Sequence, residues 1–143
     1  MKTAPVFACL TSLVLGASLA QAQDTVATPG IAIELNAVQT QDNSCRLSFV
    51  VQNTHAAEIS NAVYETVLFD ATGQVERMTL LDFGTLPPAR PRVRQFVLSG
   101  VSCDDLSQIL INGAHACVAA GLEKTACTQD IKLTTRTNIE VTG

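Results

Sequence analysis

The chain has 143 residues, with 13 acidic and 9 basic side chains and a formal net charge of −4. No basic run is long enough to neutralise many phosphates, so the charge pattern argues against nucleic acid as a partner. A signal peptide is predicted over residues 1–22, and its removal leaves about 121 residues. That length suits one domain and is too short for two good cores.

The first 22 residues have the pattern of a secretory signal peptide. Lys2 gives a positive start, residues 6–20 form an apolar stretch, and Ala20-Gln21-Ala22 forms a small-residue cleavage site. The apolar stretch is shorter than the roughly 20 residues that cross a bilayer as a helix, so we expect no membrane span after cleavage. The sequence therefore predicts a periplasmic or secreted protein, with residues 23–30 as a flexible leader and residues 31–143 as the folded domain.

An even set of cysteines remains after cleavage: Cys45, Cys103, Cys117 and Cys127. In an oxidising compartment such a set in a small domain predicts disulfides. Four cysteines allow three pairings, and we favour Cys45 with Cys103 and Cys117 with Cys127. In the chain-entropy model the two bridges would stabilise the fold by about 4 and about 3 kcal/mol respectively.

Two early segments alternate apolar and polar residues with the period of two that is typical of half-buried strands. Their apolar positions are Ile31, Ile33 and Leu35 in the first segment and Cys45, Leu47, Phe49 and Val51 in the second. The polar, turn-rich stretch 52–61 then predicts a connection to the next strand.

A hairpin is predicted at Asp70-Ala71-Thr72-Gly73, between the β-prone runs 63–69 and 74–83. Asp favours the first position of such a turn, and Gly supplies the positive φ that the turn requires. The following segment, 84–91 (GTLPPARP), holds three prolines that cannot donate to a sheet ladder, so it predicts a loop or a corner between sheets.

The second half of the chain gives weaker signals. Residues 92–98 favour a strand, Ser102 with Asp105 resembles a capping box for one helical turn over 103–107, and residues 108–112 favour a short strand. We expect a loop or short helix over 113–128. A final strand is predicted to turn Ile131, Leu133, Ile139 and Val141 one way and Lys132, Arg136 and Glu140 the other.

These elements predict an all-β protein: an immunoglobulin-like antiparallel β-sandwich of about seven or eight strands with two disulfides. The arrangement NAVYETVLFDATGQV followed by GTLPPARPRVRQFVL resembles bacterial immunoglobulin-like modules of the FxLYD type, in which a strand ending in Phe-Asp or Tyr-Asp enters a Gly turn. The whole mature chain also resembles a group of small exported proteins of alphaproteobacteria. Neither resemblance supplies catalytic residues.

The candidate binding residues are Arg90, Arg92 and Arg94, which alternate in sequence and would project from one face of a strand that begins early. Such a patch could bind a carboxylate, a phosphate or an anionic glycan. The alternative is that these arginines protect a sheet edge against pairing with another chain. Phe96 and Leu98 share their parity, which indicates either a bulge or arginines lying beyond the buried part of the strand.

Other chemistry has little support in the sequence. His55 and His115 are the only histidines and lack metal-ligand spacing, while Asp104 and Asp105 are adjacent and so diverge in a strand or cap a turn. No Gly-x-Ser-x-Gly or Cys-x-x-Cys motif occurs. We therefore expect no enzyme, no metal and no cofactor, but a binding module whose partner is a protein or another envelope component. The alternative function is an anion-binding envelope protein.

Overall fold

The computed structural model describes residues 28–143 and contains eight β-strands and one short 3-10 helix. The strands are β1 (Ile31–Gln41), β2 (Ser44–Asn53), β3 (Ile59–Asp70), β4 (Val75–Leu86), β5 (Arg92–Ser99), β6 (Leu106–Val118), β7 (Lys132–Thr135) and β8 (Glu140–Thr142), and the helix spans Cys103–Asp105. The predicted signal peptide and most of the predicted leader lie outside these residues. Over residues 28–143, no helix is both long and apolar enough to cross a bilayer.

The strands form two four-stranded sheets. Sheet I has the order β5-β2-β1-β7, and sheet II has the order β4-β3-β6-β8. The predicted β-sandwich with two disulfides is therefore confirmed. The sheets are not wholly antiparallel, because β7 runs parallel to β1 and β8 runs parallel to β6.

The core lies between the sheets and follows from the period of two in the strands. Every predicted inward residue of β1 and β2 is buried, with at most 1% of its surface exposed. Gly30, the last residue of the predicted leader, is also held against the sheet. Its carbonyl accepts hydrogen bonds from the backbone amide and the hydroxyl of Thr54.

Four aromatic rings fill the centre of the core: Phe49 from sheet I, Tyr64 and Phe83 from sheet II, and Phe96 from β5. Their centroids lie 5.2–6.0 Å apart in edge-to-face geometry, the arrangement that aromatic quadrupoles favour. The hydroxyl of Tyr64 donates to the carbonyl of Cys127 at 2.7 Å. Burial raises the pKa of Tyr64 above its ordinary value.

The β3–β4 hairpin turns where the sequence predicted it. Oδ1 of Asp70 accepts hydrogen bonds from the backbone of Thr72 and Gln74, at 2.8 and 2.9 Å, and from the Thr72 hydroxyl. Gly73 has φ +82°, the left-handed conformation that glycine adopts without strain. The hydrogen bonds to its carboxylate lower the pKa of Asp70.

The disulfides join Cys45 to Cys103 and Cys117 to Cys127, the pairing that the sequence analysis favours. The first bridge links β2 in sheet I to the 3-10 helix that leads into β6. The second links the end of β6 to the loop 119–131. The second bridge and the Tyr64 hydrogen bond to Cys127 fix this loop to sheet II, and Ala119, Leu122 and Ile131 of the loop pack against the core.

The structure corrects three predictions in the second half of the chain. Strand β6 runs through Val118, so the predicted loop or short helix over 113–128 is wrong for its first six residues. Bulges where β6 pairs with β3 place Ala114 beside Tyr64 and Ala116 beside Val63. Small residues without clear periodicity fit this irregular pairing, which is why the sequence pattern did not indicate a strand.

The helical turn over Cys103–Asp105 is present but has no capping box. The side chain of Ser102 makes no capping hydrogen bond, and the turn closes through the backbone, with the Asp105 amide donating to the Ser102 carbonyl at 3.2 Å. The predicted cap is therefore wrong, although the turn itself exists.

The single predicted final strand is also wrong, because it divides into β7 in sheet I and β8 in sheet II. Between them, Thr135 Oγ1 accepts from the Thr137 amide, and Thr137 Oγ1 accepts from the Ile139 amide. Such side-chain bonds replace ladder bonds and turn the chain. Ile139 and Val141 are buried, as predicted, but Val141 on β8 packs from the opposite sheet to Leu133 on β7.

Candidate functional site

The structure places the three arginines of the predicted anion site on β5 and just before it. Arg90 lies before Pro91, outside β5, and is exposed. Arg92 and Arg94 face the same side of β5 as Phe96 and Leu98, and the β2–β5 register is unbroken. The arginines therefore lie beyond the buried part of the strand, and no bulge separates them from it.

Arg94 has a structural role at the open side of the sandwich, where the edge strands β5 and β4 lie next to each other. Its Nε donates to the Phe83 carbonyl at 2.7 Å and its Nη2 to the Thr85 carbonyl at 3.1 Å, so that one guanidinium joins β5 of sheet I to β4 of sheet II. Gly84 lies between these two carbonyls with φ +63°, and its amide donates to Asp82 Oδ1. This bulge in β4 turns the carbonyls toward Arg94.

A second arginine crosses the same gap in the other direction. Arg77 of β4 donates through Nη1 to the Ser99 carbonyl at the end of β5, at 3.0 Å. Arg77 and Arg94 each donate to backbone carbonyls of the opposite sheet. These hydrogen bonds therefore join β4 and β5 along this side of the sandwich. Anion binding by Arg90, Arg92 and Arg94 stays a prediction, but Arg94 has few donors left for it.

The two histidines lie on different elements of the fold. His55 follows β2, and its Nε2 lies 2.9 Å from the carbonyl of Ala126, whereas His115 is exposed on β6. No group of three or more His, Cys, Asp or Glu side chains with metal-binding geometry occurs within residues 28–143. Asp104 and Asp105 lie in the 3-10 helix, where both are exposed.

The cleft beside His55 is small and is lined mostly by the loop 119–131. It has a volume of about 190 Å³ and includes Leu122, Thr125, Ala126 and Asp130. Small-molecule sites typically enclose roughly 300–1,000 Å³ with several converging polar groups. The cleft has neither the size nor an assembled acid–base pair, so its geometry does not indicate catalysis.

The outer surface of sheet II carries several apolar side chains. Val67 lies between Met78 on β4 and Leu110 on β6, so three apolar side chains cross the sheet in one row. Met78 and Leu80 are 59% and 48% exposed. The same register places further apolar side chains on this surface: Val63, Phe69, Val75 and Ala116. We call this surface the sheet II face.

Only acidic charges border the sheet II face. Glu65 lies beside Leu80, Asp82 beside Val63, and Glu140 beside Gln108. Of the eight Lys and Arg residues between 28 and 143, none lies at an outward position of sheet II. They lie on sheet I, between the sheets, or in loops and corners. The sheet II face therefore combines exposed apolar side chains with negative charge.

Sequence periodicity alone did not identify this face. Outward residues such as Met78 and Leu80 belong to a β-prone run in the sequence, and their exposure depends on which side of the sheet the core covers. A signal was nevertheless present, because β3 and β4 carry apolar residues at both parities. In a sheet with one solvated face, such residues indicate a second contact surface.

No protein-family model matches the chain, and no curated protein matches its sequence. Among solved structures, the chain is similar to the Salmonella enterica trimeric lipoprotein SadB, with a TM-score of 0.47 and 18% identity over 55% of this chain. The match spans 47% of the SadB chain, less than half of its length.

The chain is also similar to IrmA from Escherichia coli, with a TM-score of 0.57 and 14% identity over 73% of this chain and 91% of IrmA. At this identity the likeness concerns the fold. The chain therefore has a sandwich fold like that of IrmA, carried by a different sequence.

Proposed function

We propose that this protein is a non-catalytic binding module of the periplasm or the extracellular space, and that it binds its partner through the sheet II face. The observation that carries the proposal is the row formed by Val67, Met78 and Leu110 on the outside of sheet II. Met78 is 59% exposed and Leu110 is partly exposed, whereas Val67 between them is only 7% exposed. A contiguous apolar surface on a folded domain is typical of interaction sites.

The charges around the face indicate the chemistry of the partner. Glu65, Asp82 and Glu140 would attract basic groups, and the apolar row would bury apolar side chains. We therefore expect a protein surface or segment with an apolar centre and flanking Lys or Arg. Complementary charges at the edge of an interface accelerate association and set specificity, and their contribution falls as salt rises.

Two disulfides support the extracytoplasmic location. Disulfides persist in oxidising compartments and are rare in a reducing cytosol. All four cysteines between residues 28 and 143 are paired. The oxidised mature protein should therefore show no reactive thiol under denaturing conditions, whereas a redox enzyme of the thiol type would show at least one.

A peptide selection tests the proposal. The purified mature protein is used to select binders from a random peptide library, and the affinity of a selected peptide is measured for the wild type and for two variants. Leu80→Lys changes the sheet II face. Val97→Lys, at a residue of β5 that is 57% exposed, is the matched control on sheet I.

We expect the selected peptides to carry apolar residues flanked by Lys or Arg. Leu80→Lys should weaken binding at least about tenfold, since central interface residues commonly contribute more than 1 kcal/mol, and Val97→Lys should leave it unchanged. Acidic consensus peptides, or equal losses in the two variants, would contradict the proposed site. Turnover on a hydrolase panel that disappears on replacing His55 or His115 would contradict the non-catalytic function.

A further inference from the structure

Strand β5 is a long, regular edge of the sandwich. It pairs with β2 without a register shift from Ser99 to Arg92, and no other strand lies on its far side. The edges formed by β7 and β8 have only four and three residues. The edge at β4 is bulged, and its Phe83 and Thr85 carbonyls are occupied by Arg94.

The pairing with β2 defines which backbone groups of β5 face outward. The Gly100 amide donates to the Asn43 carbonyl at 2.7 Å, one step beyond the Ser44–Ser99 pair. In an antiparallel ladder, bonded and non-bonded pairs alternate. The amides and carbonyls of Val93, Gln95 and Val97 therefore point away from β2.

Two side-chain hydrogen bonds agree with this assignment. The Val93 carbonyl accepts from Arg94 Nη1 at 3.2 Å, and the Ser99 carbonyl accepts from Arg77 Nη1. Both carbonyls belong to the same alternate set of residues, and neither bond involves β2. The remaining outward groups of β5 are available to a further strand.

The side chains of this edge are self-complementary about Gln95. On the outer side of sheet I, β5 carries the side chains of Val93, Gln95 and Val97, and the two valines are 62% and 57% exposed. In an antiparallel pair centred on Gln95, Val93 of one chain faces Val97 of the other, and Gln95 faces its own copy. In the same register, Arg94 lies opposite the aromatic ring of Phe96.

We propose that β5 pairs with β5 of a second copy of this chain, and that the two copies form a symmetric dimer with one continuous eight-stranded sheet. In this register Val93 pairs with Val97 of the second copy, Gln95 with its own copy, and Val97 with Val93. Each of these three pairs exchanges two backbone hydrogen bonds, which makes six. The Val93 carbonyl exchanges its exposed bond to Arg94 for the Val97 amide of the second copy. Pro91, which has no amide hydrogen, lies opposite Ser99 and ends the ladder.

The contact is isologous, since each copy contributes the same strand to a two-fold axis, and it therefore closes at two chains. The charges of β5 lie only on its inner side, where Arg94 is bonded to β4, whereas its outer side carries no charge to oppose pairing with a second copy. The proposal is independent of the sheet II face, which lies on the other sheet and remains exposed in the dimer.

Sedimentation velocity of the oxidised mature chain, over a range of concentrations, tests the dimer. The wild type should shift from the mass of one chain to twice that mass as concentration rises. Gln95→Lys places two like charges directly opposite each other on the two-fold axis and should give a monomer throughout. Leu80→Lys, on sheet II, is the matched control and should dimerise as the wild type does.

Hydrogen exchange gives a second readout that does not depend on a variant. The amides of Gln95 and Val97 face solvent in the single chain, so their protection should rise with protein concentration. A wild type that stays monomeric at every concentration would overturn the proposal. So would a dimer that survives Gln95→Lys in a variant whose circular dichroism shows the native fold, or a dimer that Leu80→Lys abolishes.

Discussion

Replacing Arg94 by Met separates the structural role of this residue from the predicted anion site. Met keeps much of the apolar stem and removes the guanidinium that joins Phe83 and Thr85 to β5. Arg92→Met is the matched control, because Arg92 lies on the same side of β5 and donates no hydrogen bond to any residue from 28 to 143.

The expected cost follows from the two cross-sheet bonds. Hydrogen bonds to charged groups contribute about 1.5–3 kcal/mol, and an exposed one contributes less. The bond to Phe83 is partly buried and the bond to Thr85 is exposed. We therefore expect Arg94→Met to destabilise the fold by about 2 kcal/mol and to lower Tm by roughly 8 °C for a domain of this size.

Urea and thermal unfolding followed by far-UV circular dichroism measure this difference, which suits a chain that has no Trp and only one Tyr. Arg92→Met should change the free energy of unfolding by less than about 0.5 kcal/mol. Equal stability of Arg94→Met and the wild type would refute the structural role. A loss of phosphate or carboxylate binding in both variants, with stability unchanged, would support the predicted anion site instead.

Three further perturbations test other parts of the fold. Replacing Cys117 and Cys127 together by Ala should lower stability by about 3 kcal/mol and Tm by roughly 12 °C in calorimetry, because the unfolded chain regains the entropy of a ten-residue loop. An unchanged Tm would contradict this. The raised pKa of Tyr64 means that the unfolded chain ionises first, so stability should fall above about pH 10, and Tyr64→Phe should flatten that fall in pH-dependent urea unfolding. The lowered pKa of Asp70 gives stability that is present above about pH 4 and is lost as pH falls below it, so Asp70→Asn should reduce the slope of stability on the acid side. An identical acid profile in that variant would show that the turn contributes no charge-dependent stability.

The sequence was most informative where local rules and tertiary structure agree. Alternation in β1 and β2 identified their buried residues, and the Asp70 to Gly73 turn follows from side-chain chemistry that acts over four residues. An even cysteine set in a predicted exported chain was enough to indicate two bridges. Each of these predictions depends on short segments or on simple counting.

The features that the sequence did not indicate depend on distant partners. The final segment has the alternation of one strand, yet the Thr135 and Thr137 side chains turn it so that β7 and β8 join different sheets. Arg94 has the sequence context of a charged edge, but its role depends on a bulge at Gly84 ten residues earlier. Predicting the sheet II face would have required knowing which side of β4 packs against the core.

The most direct test of the proposed binding function is an NMR titration of the isotope-labelled chain, residues 23–143, with a selected apolar–basic peptide. We expect the largest amide and side-chain shift changes on the outward residues of β3, β4 and β6, centred on Val67, Met78 and Leu110, with little change at His55 or on the outer side of β2. Changes concentrated around the His55 cleft or along the arginines of β5, with the sheet II face unchanged, would contradict it.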